Sequence, residues 1–306
     1  MNEIDTLLVI GLKFNDVFYA MSTSEWHHAE HRILAVIAAR RDFALQFHHM
    51  EGFDDTVVID FERNDIGRFK TCLQIKRYSK RLQCDTVMLS NPLLVITQYL
   101  IKVSRAREVI CLEDGTLNYH TLHPSLSLIK PFVQRMLGLN ERKLFNSVSR
   151  TYLLIPEMAK FYNGEPVRLQ LSPELLSERI TVDIRNKKIF VGQVPYHFGQ
   201  MTLEAYCERV NKFVKKYNID YYLPHAFADS GEQVDCPILD IEKLRITLEI
   251  LALQYDFVIY SFGSSVLYST RIINPRIKTY MVRISELSKI PALPLLEKYC
   301  SGTVDF

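Results

Sequence analysis

The stretch "TVMLSNPLLVITQYLIKVSRAREVICLEDG", residues 86–115, decides the fold class of this chain. It contains a short apolar run, a longer segment with helical periodicity and a second short apolar run, and neither apolar run alternates with polar residues. Strands of this kind belong to a parallel sheet whose two faces are both covered by helices. The stretch therefore predicts a strand, a helix and a parallel strand of an α/β domain.

The same alternation continues towards both ends of the chain. Further strands are predicted at residues 6–12, 43–47, 55–61, 187–193, 220–225, 257–263 and 277–284. Further helices are predicted at residues 25–41, 68–82, 202–218 and 240–255. Acidic residues, serines and a proline interrupt the pattern at residues 172–188, so we expect two Rossmann-like domains, at residues 1–180 and 181–306.

Composition narrows the class of protein. The chain has 306 residues, of which 48% are hydrophobic, so it can bury a core in each of two domains. Its 37 Lys and Arg residues nearly balance 35 acidic residues, which disfavours nucleic acid as a partner. No apolar run approaches the roughly 18 residues of a membrane span, and the first residues do not resemble a signal peptide, so we expect a cytoplasmic protein. The six cysteines form no CxxC pair and are expected to be reduced.

Polar side chains follow several of the predicted strands. In folds with parallel sheets, ligands bind beyond the carboxyl ends of the strands. In the first domain these ends carry Glu113, Asp114 and Gly115. In the second domain they carry Gly192, Gln193, Pro224, His225, Ser261, Gly263, Ser264 and Ser265. The sequence therefore predicts carboxylates on one domain that face a histidine and hydroxyl groups on the other.

Placing Glu113 next to Asp114 at the end of a buried strand is energetically unfavourable, because two carboxylates repel each other and lose hydration there. That cost favours a functional role. A tight turn is the alternative interpretation, because Asp-Gly is a common turn dipeptide and Glu113 can then point to solvent.

The turn "SFGSS", residues 261–265, joins a strand to a short apolar segment that can begin a helix. Backbone N–H groups and two hydroxyl groups at such a position form an anion site, so Ser264 and Ser265 are predicted to hold one phosphate. Helix capping by serine is the alternative.

Two histidines lie at the same predicted edge of the second domain. His225 is the side chain best suited to share a proton with a leaving phosphate, and a structural histidine is the alternative. His197 lies in the loop after the first strand of this domain, where it is predicted to face the same site.

Four short motifs occur in a characteristic order: "LEDG" at 112–115, "VGQ" at 191–193, "YLPH" at 222–225 and "SFGSS" at 261–265. In this order they resemble bacterial sialyltransferases of the two-domain GT-B type, and the chain is most similar to the lipooligosaccharide sialyltransferase family, glycosyltransferase family 52. The resemblance covers nearly the full length. It implies a GT-B-like α/β fold in which two Rossmann-like domains have parallel sheets that face a central cleft.

The resemblance also implies residue roles. Glu113 or Asp114 would be the base that accepts the proton of the acceptor hydroxyl group, His225 would be the acid, and Ser264 with Ser265 would hold the phosphate of CMP. Two positions depart from the family pattern. Ala226 stands where a proline usually follows the histidine, and His197 occupies a loop in which some members place a carboxylate base, so Glu113, Asp114 and His197 are all candidates to accept the proton.

By this resemblance, the expected reaction is an inverting transfer of sialic acid from CMP-sialic acid to a terminal galactoside of a bacterial surface glycan, either lipooligosaccharide or capsule. No cofactor and no metal is expected, since hydroxyl groups and a histidine can balance the charge of one phosphate. Transfer from another nucleotide sugar, as by a glucosyltransferase, is the first alternative, and a non-catalytic nucleotide-binding or glycan-binding module is the second. A nicotinamide dehydrogenase is disfavoured, because "VIGLKFND" at 9–16 has one glycine where the dinucleotide fingerprint needs three.

Two further segments have less specific patterns. "EWHHAEH" at 25–31 predicts a solvated helix rather than a metal site, because its histidines do not have the HExxH spacing. "LIKPFVQRMLGLNERKLFNSVSR" at 128–150 combines basic and apolar residues and predicts a helix pair that lies on an anionic membrane face, here the inner membrane, or forms a homodimer contact. The protein contact is the favoured alternative.

Overall fold

The computed structural model of the chain describes residues 4–38, 47, 50–61, 65–119, 129–175, 182–225, 228–241, 246–285, 287 and 293–306, with the backbone alone at 65–69 and 129. The chain divides into two compact units, Met1–Leu175 and Leu176–Phe306. Each unit contains one parallel sheet with helices in its connections. The predicted α/β fold class with two Rossmann-like units is confirmed.

The sheet of the N-terminal unit has seven strands. They are β1 (Ile4–Gly11), β2 (Ala29–Ala38), β3 (Asp55–Asp60), β4 (Thr86–Leu89), β5 (Glu108–Cys111), β6 (Val148–Leu153) and β7 (Glu165–Arg168). They lie in the order β3-β2-β1-β4-β5-β6-β7, and every pairing is parallel. The direction of chain progression reverses between β1 and β4, so a topological switch point lies at the carboxyl ends of these two strands.

Helices connect these strands. They are α1 (Phe14–Met21), α2 (Ser24–His28), α3 (Asp65–Arg77), α4 (Val95–Ser104), α5 (Ile129–Met136) and α6 (Glu141–Asn146). Four consecutive residues of β1, Leu7 to Ile10, are completely buried although their side chains point alternately to the two faces of the sheet. Both faces of this central strand are therefore covered, as its unbroken apolar sequence predicts.

The helix predicted at residues 25–41 is wrong over most of its length. Only α2 is helical, and the chain then enters the ten-residue strand β2, which pairs with β1 and β3. Residues 33–37 are a continuous, fully apolar run that is rich in β-branched side chains and is buried. An apolar run of this length fits a buried strand and a buried helix equally well by periodicity, and the β-branched side chains favour the strand.

Other elements differ from the sequence prediction in smaller ways. Helix α1 and the strands β6 and β7 were not predicted, whereas α3, α4, β3, β4 and β5 lie within or close to predicted segments. Of the strand predicted at 43–47, all but Phe47 lies outside the described residues.

The sheet of the C-terminal unit has five parallel strands. They are β8 (Lys188–Val191), β9 (Tyr221–Leu223), β10 (Val258–Ser261), β11 (Lys278–Arg283) and β12 (Gly302–Asp305), and they lie in the order β12-β11-β10-β8-β9. The helices of this unit are α7 (Leu203–Tyr217), α8 (Leu248–Ala252), α9 (Val266–Ile273) and α10 (Leu293–Tyr299). Helix α8 is shorter than the segment predicted at 240–255, of which residues 242–245 lie outside the described residues.

Helix α7 shows how sequence and packing agree in this unit. Thr202 caps the helix by accepting a hydrogen bond from the backbone N–H of Ala205, and Asn218 ends it in a left-handed conformation. Tyr206, Val210 and Phe213 follow one another at helical spacing and are completely buried in the core of the unit. This face holds the helix against the sheet.

Helix α5 carries an apolar pair on its outer face. Phe132 and Met136 are 64% and 66% exposed. Glu141 accepts hydrogen bonds from Gln98 of α4 and Gln134 of α5, and forms an ion pair with Lys130 of α5. These contacts fix the polar side of α5 towards α4, so the apolar pair stays outside.

All six cysteines are free thiols. In the part of the chain that the structure describes, no helix has both the length and the apolar character that a bilayer span requires.

Candidate active site

The carboxyl ends of the central strands of the N-terminal sheet bring together residues that are far apart in the sequence. Strand β1 leads into the loop before α1, β4 leads to Ser90, and β5 leads through Leu112 to Glu113 and Asp114. Because β1, β4 and β5 are neighbours at a spacing of about 4.8 Å, these three ends form one continuous edge.

Glu113 is buried and bound within the unit. Its Oε2 atom accepts a 2.5 Å hydrogen bond from the hydroxyl group of Tyr119 and a 2.9 Å hydrogen bond from the backbone N–H of Leu154. The Tyr119 hydroxyl in turn accepts a 3.1 Å hydrogen bond from the backbone N–H of Ile155. Glu113 therefore ties the end of β5 to the end of β6 and does not point to solvent.

Asp114 points the other way, to a lysine. Lys13 donates a 2.8 Å hydrogen bond from Nζ to Asp114 Oδ1, and the Asp114 side chain is 15% exposed. The backbone N–H of Asp114 donates a hydrogen bond to Asn118 Oδ1, and Gly115 has φ +64°. The Asp-Gly turn is thus present, and it explains the glycine. The ion pair gives Asp114 a further contact that the turn does not need.

Asp16, on the first turn of α1, belongs to the same cluster, and the sequence did not single it out. Its side chain is 0% exposed, and its Oδ2 atom accepts hydrogen bonds from the backbone N–H groups of Leu12 and Lys13. Burial, reinforced by the Asp114 carboxylate, raises the pKa of Asp16 to about 6 against the opposing effect of Lys13. The signal for it in the sequence is an acid a few residues after the end of the first strand, in "VIGLKFND" at 9–16.

Lys13 remains charged between these acids. Burial opposes its charged form, but the carboxylates of Asp114 and Asp16 outweigh that effect and raise the pKa of Lys13. The cluster thus holds one ammonium group and two carboxyl groups beside the switch point between β1 and β4.

At the carboxyl edge of the C-terminal sheet, Gly192 and Gln193 pack against a group of tyrosines. A Cβ atom at Gly192 would lie 2.4 Å from the hydroxyl oxygen of Tyr222, so glycine is required there. The backbone N–H of Gly192 donates to the carbonyl oxygen of Leu223, and that of Gln193 donates to the hydroxyl of Tyr206. Glu232 accepts hydrogen bonds from the hydroxyl groups of Tyr196 and Tyr222. Hydrogen bonds with these buried tyrosines therefore fix the position of the loop after β8.

The serine turn lies at the end of the neighbouring strand β10. Ser261 is completely buried, and its hydroxyl donates a 2.8 Å hydrogen bond to the carbonyl oxygen of Val191 on β8. Gly263 has φ +152°, and Ser264 and Ser265 are half-buried. Ser265 is the first residue before α9, but its side chain makes no capping hydrogen bond. The Ser264 hydroxyl, however, accepts a 3.4 Å hydrogen bond from the backbone N–H of Val266, the first residue of α9, so the alternative interpretation of capping holds for Ser264 and not for Ser265.

His225 follows β9 and is half-buried. Burial, and to a smaller extent the nearby imidazole of His197, lowers the pKa of His225 to about 4. His197 is exposed on the short 3₁₀ turn Pro195–Phe198 in the loop after β8. The two histidines are thus neighbours, and the loops that carry them both lie at the carboxyl edge of the C-terminal sheet. Ala226, the departure from the family pattern, lies outside the described residues.

The order of strands relates the histidines to the serine turn. Strand β8 lies between β9 and β10, so the ends that carry His225 and Ser264 are separated by one strand, or about 10 Å at the level of the sheet. To contact one phosphate, the side chains of these two ends would have to reach towards each other over the end of β8.

Three histidines near the N-terminus are divided between two elements. His27 and His28 are in α2, whereas His31 is in β2 and forms a 3.3 Å contact with Asp54. Within the described ranges, no three His, Cys, Asp or Glu side chains are grouped as ligands of a metal ion would be.

Comparison with known proteins gives a family match and several similar folds. The family model described as "Glycosyltransferase family 52" matches residues 48–286, which is most of the chain. No curated protein matches the chain.

Among solved structures, the spinosyn forosaminyltransferase SpnP aligns with a TM-score of 0.56 at 12% identity, over 99% of this chain and 86% of that one. The UDP-GlcNAc 2-epimerase from Neisseria meningitidis, bound to UDP-GlcNAc, aligns with a TM-score of 0.57 at 12% identity, over 98% of this chain and 87% of that one. At such low identity these likenesses show the fold alone, and they support the predicted GT-B-like class. A transferase and an epimerase share this fold, so it does not decide the reaction.

Proposed function

This chain belongs to glycosyltransferase family 52, and we propose that it is an inverting sialyltransferase that moves sialic acid from CMP-sialic acid to a terminal galactoside of a bacterial surface glycan. The observation that carries the proposal is the half-buried turn of Ser264 and Ser265 before α9, on the sheet edge that also bears His225. One phosphate needs only this small number of donors.

On the donor side, we assign the phosphate of CMP to the hydroxyl groups of Ser264 and Ser265 and to the N-terminus of α9. His225 is neutral at pH 7 in the free protein, because its pKa is lowered to about 4. An anionic phosphate beside the ring favours the protonated form, so donor binding would raise this pKa. His225 then donates a proton or a hydrogen bond to the departing phosphate.

On the acceptor side, Asp114 is better placed than Glu113 to act as the base. The Oε2 atom of Glu113 already accepts two hydrogen bonds inside the unit, whereas the Asp114 side chain is partly exposed. The acceptor hydroxyl loses its proton to Asp114 as its oxygen bonds to the anomeric carbon of sialic acid. The bond from that carbon to the phosphate oxygen breaks, and the electron pair leaves with CMP. The anomeric carbon gains oxocarbenium character on the way.

This scheme needs no metal ion, because the leaving group carries a single phosphate whose developing charge is met by hydroxyl groups, a helix N-terminus and an imidazole. We therefore expect transfer to continue in excess EDTA. A strict requirement for a divalent cation would contradict the assignment of these groups.

The direct test is incubation of the protein with CMP-sialic acid and lactose, with CMP and sialyllactose as expected products. Activity with UDP-glucose or another UDP-sugar, and none with CMP-sialic acid, would change the donor class. Binding of CMP without turnover on any galactoside would identify a non-catalytic module.

A serine substitution tests the phosphate assignment. Ser264→Ala with Ser265→Ala should weaken CMP binding by on the order of 10²- to 10⁴-fold, since each of the two hydrogen bonds to a charged group contributes about 1.5–3 kcal/mol. Ser147→Ala, in the N-terminal unit, is the control and should leave CMP binding unchanged. Unchanged affinity in the double variant would remove the serine turn from the site.

We also propose a use for the exposed apolar pair of α5. Phe132 and Met136, with the nearby basic residues of α5 and α6, form a surface that suits contact with a second copy of the chain. An anionic membrane is the alternative partner. Phe132→Ser with Met136→Ser should shift a dimer towards monomer in sedimentation. Loss of liposome binding without a change in oligomeric state would favour the membrane.

A further inference from the structure

The two carboxylate oxygens of Asp16 differ in their hydrogen bonding to the described residues. Oδ2 accepts hydrogen bonds of 2.8 Å from the backbone N–H of Leu12 and 3.1 Å from that of Lys13. Oδ1 is completely buried and has no donor within hydrogen-bond distance among the described residues; the buried Ser90 hydroxyl, which is likewise without a partner there, is close enough to favour the ionised form of Asp16. A buried carboxylate oxygen left in this state is costly, so it calls for an explanation.

Lys13 is a cation that lies close to this oxygen. Its Nζ atom lies 2.8 Å from Asp114 Oδ1 and 3.9 Å from Asp16 Oδ1. A shift of the ammonium group by about 1 Å would therefore exchange one hydrogen bond for the other. The Lys13 side chain is 38% exposed, and a lysine has a flexible stem, so such a shift needs no movement of the backbone.

We infer that Lys13 has two alternative partners, and that Asp16 is a positioning residue that receives the ammonium group when a sugar hydroxyl of the acceptor binds to Asp114. The inference rests on the proposed function. With Lys13 on Asp114, the carboxylate is neutralised and is a poor proton acceptor. With Lys13 on Asp16, the Asp114 oxygen is available to the acceptor hydroxyl. Asp16 itself does not contact the substrate, in keeping with its complete burial.

The charges around Asp16 indicate the pH at which this exchange is lost. Lys13 and Asp114 are the charged groups that act on Asp16, and Glu113 acts on Lys13. Ser90, after β4, and the backbone N–H of Leu12 also favour the ionised form. Burial dominates, however, and the pKa of Asp16 is about 6. Below this pH Asp16 is neutral and no longer attracts Lys13, which then stays on Asp114.

The test compares the pH dependence of kcat/KM for transfer to lactose in the wild-type protein and in Asp16→Asn. The amide oxygen can still accept the two backbone hydrogen bonds, but the side chain cannot carry a negative charge. We expect wild-type activity to fall below about pH 6, and Asp16→Asn to be roughly 10- to 100-fold less active at pH 7.5 with no such fall.

Two further variants make the test specific. Ser90→Ala removes a group that favours the ionised form of Asp16, so the acid limb of the profile should move to higher pH. Glu25→Gln is the matched control, because Glu25 is a buried carboxylate that pairs with Arg150 in the same unit. It should alter stability but leave the shape of the pH profile unchanged. A wild-type profile in Asp16→Asn would overturn the inference.

A measurement without turnover separates this inference from the proposed function. The carboxyl ¹³C signal of Asp16 reports its pKa directly, and lactose should lower that pKa because Lys13 moves towards Asp16. An Asp16 pKa that is the same with and without saturating lactose would overturn the exchange, whether or not CMP-sialic acid is a donor. Failure of every sialyl donor, with the pKa change present, would contradict only the proposed reaction.

Discussion

Lys13 and Asp114 are 101 residues apart in the sequence, yet Lys13 Nζ lies 2.8 Å from Asp114 Oδ1. The pair joins the ends of β1 and β5, which are separated in the sheet by β4 alone. Glu113, the residue before Asp114, makes its contacts on the other side, with Tyr119 and Leu154. Successive side chains at a strand end point in opposite directions, so only one carboxylate of such a pair can face the loop of β1.

Because Asp114 and Glu113 face opposite sides, replacing each by its amide should have a different effect. Asp114→Asn should lower kcat by on the order of 10² to 10⁴ with little change in stability, because it removes a proton acceptor at a partly exposed position. Glu113→Gln should instead lower the free energy of unfolding by about 1–3 kcal/mol, because the Tyr119 hydroxyl and the Leu154 N–H lose a buried carboxyl acceptor. Activity assays and urea unfolding of both variants would check this. The reverse pattern would make Glu113 the base.

His225 should take up a proton when nucleotide binds. Its pKa is about 4 in the free protein, below the ordinary value of 6.5, and an anionic phosphate would raise it. CMP affinity should therefore increase as pH falls from 7 towards 5, with proton uptake seen by calorimetry in buffers of different ionisation enthalpy. In His225→Ala this uptake should disappear and turnover should fall by on the order of 10² to 10⁴. His31→Ala, beside Asp54, is the control histidine variant.

Asp16 should also make stability depend on pH. Its folded-state pKa of about 6 lies above the reference value of 3.8, so the folded state binds the proton more tightly between these values. The resulting stabilisation is fully present below about pH 4 and is lost as pH rises to about 6. Relative to Asp16→Asn, the wild-type protein should lose on the order of 3 kcal/mol across this range. Parallel stability curves for the two proteins, from urea unfolding at pH 4 to 7, would contradict this.

Gly192 offers a test of the support beneath the loop after β8. In Gly192→Ala the added Cβ would meet the Tyr222 hydroxyl at 2.4 Å, so a destabilisation of about 1–3 kcal/mol is expected. Combination with Tyr222→Phe removes the atom that collides and should recover part of that loss in a thermal unfolding experiment. If the double variant is no more stable than Gly192→Ala, another contact determines the need for glycine.

The sequence predicted the strands whose apolar runs are unbroken and bounded by polar residues, such as β4 and β5. It failed at β2, where the apolar run of residues 33–37 fits a buried helix and a buried strand equally well. It also missed β7 and β12, which lie at the sheet edges and are short and largely exposed. Local sequence carries little signal for such strands, because their position depends on a neighbour that is distant in the chain.

The sequence also predicted only part of the candidate site. Residues at strand ends, such as Asp114 and Ser264, could be named because parallel sheets place ligands there. Lys13 and Asp16 could not, because the feature that marks them is their approach to Asp114 across 101 residues. Their own segment shows only a lysine and an aspartate at the start of a helix.

The hydrogen bond between Glu113 and the backbone N–H of Leu154 joins two positions that are 41 residues apart, and α5 and α6 lie between them in the sequence. One carboxylate thus fixes the ends of β5 and β6 to each other independently of these two helices. We therefore expect an added residue in the short connection between α5 and α6, residues 137–140, to leave both strands in place.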